Sequence, residues 1–243
     1  MSTAQRIGFG KKVRSDWLLL ALRLRANAQN FTVARGELEE LIAVTNPGKV
    51  AIAKIMSNVR QVVFEPAPEV RLFAENGVKL FQERGEVAAL PVIWGLTITS
   101  YSFFVTCAET IGRLLKLHDE FTAAEMVRRL KEKTGDRAFV ARVGRYNLSS
   151  QLDWCLVTYD AKSKRYGRGK AVKVSDPAML GWLLEAVLRA SNKIAMNQSQ
   201  LLSSNLLFPF TITPMSMVQL TAANPRLRVF RENLNEELLA IEA

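Results

Sequence analysis

Between Val87 and Ala108 lie 22 consecutive residues without a charge. A run of that length has to be withdrawn from water, either into a bilayer or into the centre of a folded body. Pro91, Gly95, Thr97, Thr99, Ser100, Ser102 and Thr106 interrupt its apolar character. Its aromatic residues, Trp94, Tyr101, Phe103 and Phe104, gather in the middle and not at the ends, where interfacial anchors belong. The run therefore reads as a buried central helix, continued through ETIGRLLKL to the single histidine, His118. A chain of 243 residues can bury such an element within one or two domains.

The remaining composition is that of an ordinary globular protein, with neither repeats nor low-complexity tracts. Cys107 and Cys155 stand far apart in apolar surroundings, which gives no disulfide framework and no metal-ligand spacing. The first thirty residues are broken by charges at Arg14, Asp16, Arg23 and Arg25, unlike an export signal. A cytoplasmic protein is expected. The net charge of +10 is unevenly spread: residues 1–30 carry six basic and one acidic side chain, and residues 121–175 carry thirteen and five. The rest is close to neutral. Clustering of this kind is the footprint of a polyanionic partner.

Helix signals dominate the first third. Ser15 precedes DWLLLALRLRANA as a cap, a second helix begins near Glu37, a third follows the NPGK turn, and a fourth spans Glu69 to Arg84 after the prolines of EPAPE. Thr122 with Glu125 forms a capping box that opens a helix over about 123–133, ended by Gly135. Asp136 is placed to cap the next helix, from about Arg137 to Leu148 or beyond. On that helix Phe139, Val140, Val143 and Tyr146 share one arc, and Arg137, Arg142 and Arg145 the opposite one. Leu148 and Leu152 fall out of phase, so the helix should end, kink or change partner near residues 147–149.

Two strand-like segments, Trp154–Tyr159 and Ala171–Ser175, flank the connection DAKSKRYGRGK, where Gly167 and Gly169 loosen the tip. Six of the twelve residues from Lys162 to Lys173 are basic and none is acidic. A helix capped by Ser175 or Asp176 with Pro177 in its first turn follows, then short strands in FPFTIT and RLRVF, and a polar helical end from Asn233 to Glu242.

Helix, tight turn, arginine-faced helix and basic hairpin, over about residues 119–176, resembles a winged helix-turn-helix. In that family the second helix lies in the major groove of duplex DNA, and the hairpin reaches backbone or minor groove. The resemblance implies groove contacts from Arg137, Arg142, Arg145 and Ser149. It implies hairpin contacts from Lys162, Lys164, Arg165, Arg168 and Lys170, with Tyr166 at the tip against sugar or base.

Sharper chemistry finds no foothold. GFGKK, at Gly8 to Lys12, lacks P-loop spacing and reads as a basic arm. His118 has no histidine partner, neither cysteine has an activating neighbour, and the carboxylates of GELEEL and ENLNEELL read as exposed helix faces. No catalytic residue, metal or cofactor is expected.

The expected fold is mainly α with small β elements: a helical N-terminal domain (1–118), the winged helix (119–176) and a short α/β C-terminal extension (177–243). The expected function is non-enzymatic binding of double-stranded DNA, as in transcription regulation or as a DNA-binding subunit of a multi-protein system such as antiviral (phage) defence. A protein partner or homodimer would dock on the helical domain, with no membrane involved. The alternative is an adaptor whose winged helix docks protein.

Overall fold

The computed structural model describes residues 8–45, 47–233 and 236–242. The chain is mainly α with small β elements. Its front part is α1 (Ser15–Ala26), α2 (Phe31–Ala43), α3 (Lys49–Val59) with a π-helical turn over Arg60–Phe64, and α4 (Arg71–Arg84). Two caps differ from expectation. Asn30, whose side chain accepts from the Val33 amide, starts α2 six residues before Glu37. Ser15 is already inside α1, with Arg14 at the cap position.

The uncharged run is two helices, α5 (Ala89–Ser100) and α6 (Ser102–Leu117), separated by an extended Tyr101 at φ −138°, ψ 106°. The hydroxyls of Thr97, Thr99 and Ser100 bond back to carbonyls of the preceding turn, a habit that weakens and bends helices, and the break follows at once. Among the described residues no helix is long and apolar enough to cross a membrane.

Next come β1 (Glu120–Phe121), α7 (Ala123–Thr134), α8 (Ala138–Asp153), β2 (Val157–Asp160) and β3 (Arg165–Arg168). The capping box of α7 is formed by Thr122 and Glu125, and Gly135 ends the helix at φ +85°. The three strands make an antiparallel sheet in the order β1-β3-β2. The rest of the chain is β4 (Val172–Val174), α9 (Pro177–Ala190), β5 (Ala195–Asn197), α10 (Gln198–Leu202), β6 (Phe210–Ile212), α11 (Met217–Ala223), β7 (Leu227–Asn233) and β8 (Glu236–Ile241).

Two strand assignments change. Ala171–Ser175 is not the return strand of the hairpin: β4 pairs in parallel with β6, and the return strand is β3. The chain end is not helical, for β8 lies between β5 and β7, burying Leu239 against the body. Leu234 and Asn235 of the expected helix lie outside the described residues.

The core is centred on buried tryptophans. Trp182 of α9 stacks on Phe73 of α4 with ring centroids 4.3 Å apart and donates from Nε1 to the Phe73 carbonyl at 3.0 Å. Gly77 of α4 and Gly95 of α5 leave room for its ring, which a β-carbon at either position would overlap. Trp94 of α5 donates to the Leu206 carbonyl and meets Phe104, Trp154, Phe208 and Phe210 edge-on. Glu185, wholly buried in α9, is held by Arg189, Asn224 and a double contact from Arg226, which ties the C-terminal sheet to the core. Gly95→Ala should lower the unfolding free energy by about 1–3 kcal/mol through this overlap, measured by chemical denaturation.

Candidate nucleic-acid interface

Helix α8 divides by face as its periodicity requires. Val140, Val143, Asn147, Leu148, Ser150 and Gln151 are buried, Phe139 and Tyr146 are half-buried, and Arg137, Arg142 and Arg145 are exposed. Arg142, Arg145 and half-buried Ser149, three and then four residues apart, follow one another along a single stripe. Arg137 stands at the cap position with no side-chain cap, because Asp136 turns to Lys131 at 2.8 Å.

Of the expected outcomes near residues 147–149, an end, a kink or a change of partner, α8 takes the last. It changes partner there and continues to Asp153, because residues 8–15 run along its second half. Phe9 is fully buried among Tyr101, Phe104 and Trp154. The Val13 amide donates to Ser150 Oγ at 2.9 Å, and its carbonyl accepts from Trp154 Nε1 at 3.0 Å. Asp153 accepts from the Ser15 amide at 2.9 Å and pairs with Lys12 at 2.8 Å. GFGKK is thus an anchored strap and not an arm, and Arg6 of the basic N-terminal tally lies outside the described residues. Partial burial pushes the Asp153 carboxyl up, but Lys12 and the Ser15 amide and hydroxyl more than offset it and hold it below its ordinary value.

The hairpin turns over residues 161–164. Asp160 accepts from the amides of Lys162 and Ser163, and Lys164 adopts a left-handed conformation at φ +56°. Lys162, Lys164, Arg165 and Lys170 are exposed. Arg165 acts on Glu125 at a distance, helping hydrogen bonds from Thr122 to lower that carboxyl's pKa.

Two expected contact residues have other duties. Tyr166 sits in mid-strand, stacked on Phe121 and tilted against Tyr159, so the sheet occupies its ring. Arg168 donates to the carbonyls of Phe208 at 3.0 Å and Leu115 at 3.2 Å, bracing the hairpin base against the body. Nor does Gly169 loosen a tip: a β-carbon there would collide with the Cys155 carbonyl, so glycine permits the close approach of the two segments.

The decisive feature is which cations form ion pairs. On α7, Arg128 and Arg129 pair with Glu132, Lys131 with Asp136, and Lys133 with Glu109. No ion pair among the described residues engages Arg137, Arg142 or Arg145 on α8, or Lys162, Lys164, Arg165 or Lys170 in the hairpin region. Lys11 belongs with this group, since its ammonium lies over the Tyr146 ring at 5.5 Å. Tyr159, 45% exposed, is the aromatic open to a partner where Tyr166 was expected. The position of Lys11 was not legible locally, because the strap meets α8 across some 135 residues of sequence. Among the described residues no three His, Cys, Asp or Glu side chains are gathered as a metal would need.

Compared with protein-family models, curated proteins and solved structures, the chain matches none.

Asp153 gives a pH test. A depressed folded pKa contributes stability that is complete above the unfolded value of about 3.9 and is lost as pH falls through the folded value. Asp153→Asn should therefore be less stable than the parent at neutral pH, with the gap closing in strong acid, measured by urea denaturation across that range. Arg168→Ala should cost about 1–3 kcal/mol of stability by stranding two carbonyls, read from the same denaturation curves.

Proposed function

We propose that the chain is a non-enzymatic protein that binds double-stranded DNA through α8 and the β2–β3 hairpin, in the manner of a winged helix-turn-helix. The observation that carries this reading is the division of cations. Those of α7 pair with neighbouring acids, Arg128 and Arg129 sharing Glu132, whereas Arg137, Arg142, Arg145, Lys162, Lys164, Arg165 and Lys170 form no ion pair among the described residues. Exposed cations outside ion pairs favour a polyanion, because each phosphate they meet releases condensed counterions. The order helix, glycine turn, arginine-striped helix and hairpin supports the same reading, with β1 adding a third strand in front of α7.

Roles divide by chemistry. The guanidinium groups of Arg142 and Arg145 suit bidentate pairing with guanine in the major groove, and Ser149 extends their stripe. The lysines of the hairpin suit phosphate, which carries no base information. Arg168 and Tyr166 brace the hairpin through the Phe208 and Leu115 carbonyls and the Phe121 and Tyr159 rings. Such a module serves a transcription regulator or the DNA-holding subunit of a larger defence assembly equally well.

The test is fluorescence anisotropy with a labelled duplex of about 30 base pairs, titrated with salt. Lys162→Ala, Lys164→Gly and Arg165→Ala together should weaken binding to every sequence and reduce the salt slope by about 3. Glycine is chosen at position 164 because it relieves the left-handed backbone there, so lost binding cannot be ascribed to strain. Arg142→Ala or Arg145→Ala should relax sequence preference, at about 1–3 kcal/mol per bidentate pair. Absence of binding at low salt would overturn the DNA reading and favour a hairpin that docks protein.

A further inference from the structure

Beside the base of the hairpin, α6, β3 and residues 202–212 enclose a cavity of about 260 Å³. Its charged lining is Lys116, in the last turn of α6, and Arg168 of β3. Among the described residues no acid lines it, and Asp119 and Glu120 belong to the neighbouring cleft, which shares only Lys116 with this one. Neither cation joins an ion pair among the described residues. Two cations lining one small cavity repel each other, and an anion between them turns that repulsion into attraction.

Arg168 is held ready for such a partner. Its terminal nitrogens donate to the carbonyls of Phe208 and Leu115, which fixes the guanidinium plane and leaves its Nε–H and one hydrogen on each terminal nitrogen. The residue is nonetheless exposed. Ser204, half-buried in the lining, accepts from the Leu206 amide through Oγ at 3.3 Å, so its own hydroxyl proton is free to be donated. Gly112 brings the α6 backbone against Asn205, where a β-carbon would collide with the Asn205 carbonyl, and so holds the parts of the lining together.

We propose that this cavity binds a phosphate group, with Lys116 and Arg168 supplying charge and Ser204 and Asn205 neutral hydrogen bonds. A fixed guanidinium matches the oxygens of a tetrahedral anion, and a lysine beside it adds a point charge. Donors that arrive from three parts of the chain outnumber the two oxygens of a carboxylate but suit those of a phosphate. The group can come from a free phosphate ion or phosphomonoester, or from the backbone of a duplex held by the hairpin. Binding of the anion does not rest on the DNA reading.

The test is isothermal titration calorimetry of the intact protein with inorganic phosphate, at an ionic strength held constant with sodium chloride. One saturable site per chain is expected, and phosphate should raise the melting temperature above that in chloride, because it binds the folded chain alone. Lys116→Gln should weaken phosphate binding at least about tenfold with the melting temperature in chloride unchanged, and Lys116→Arg should restore most of the affinity. Lys164→Gly, in the hairpin turn, should bind phosphate as the parent does, which separates the cavity from general attraction to a basic surface. Duplex binding by Lys116→Gln identifies the source: unchanged or absent duplex binding in variant and parent alike assigns the cavity to a free phosphate, and a loss confined to the variant assigns it to the backbone. Absence of saturable phosphate binding, an unchanged affinity in Lys116→Gln, or an equal loss in Lys164→Gly would each overturn the proposal.

Discussion

The placement of α8 depends on a strap of backbone, residues 8–15, laid along its second half. Phe9 fills the space between Tyr101, Phe104 and Trp154, and Val13 is bonded through both its amide and its carbonyl to side chains at the end of α8. Burying one phenylalanine contributes about 2–3 kcal/mol, more than any single exposed ion pair on the surface. With that flank occupied and the other packed on α6 and α7, Ala138, Arg142 and Arg145 are left exposed and Ser149 half-buried beside them.

The same economy governs the hairpin. Its base is fixed by Arg168, by the close approach at Gly169 and by Tyr166 between two aromatic rings. Its turn carries lysines on a backbone ordered by Asp160. A braced base and a turn whose cations form no ion pair are what a surface needs if it is to meet a polyanion without a large cost in ordering.

Much of this was legible in the sequence, for identifiable reasons. The Thr122–Glu125 capping box and the Gly135 terminator are local signals, and α7 begins and ends where they say. The arginine stripe of α8 follows from periodicity alone. The hairpin partner was misread because β-branched residues near Val172 look like a return strand, yet their partner is Phe210–Ile212, some 40 residues later. The roles of Arg168 and Tyr166 escaped for a related reason: both contact residues distant in sequence, Leu115, Phe208 and Phe121, and charge composition cannot distinguish a bracing arginine from a free one. The chain end turned from expected helix to strand because β5 and β7 give β8 an edge on both sides, a tertiary effect that overrides propensity.

Hydrogen–deuterium exchange of the intact protein, with and without a saturating random duplex at low salt, tests the central claim most directly. The account predicts slowed exchange in peptides covering the first turns of α8 and the hairpin turn at residues 160–165, with α2 and α3 unchanged. Protection confined to other surfaces, or no change anywhere under conditions where the duplex is bound, would contradict it.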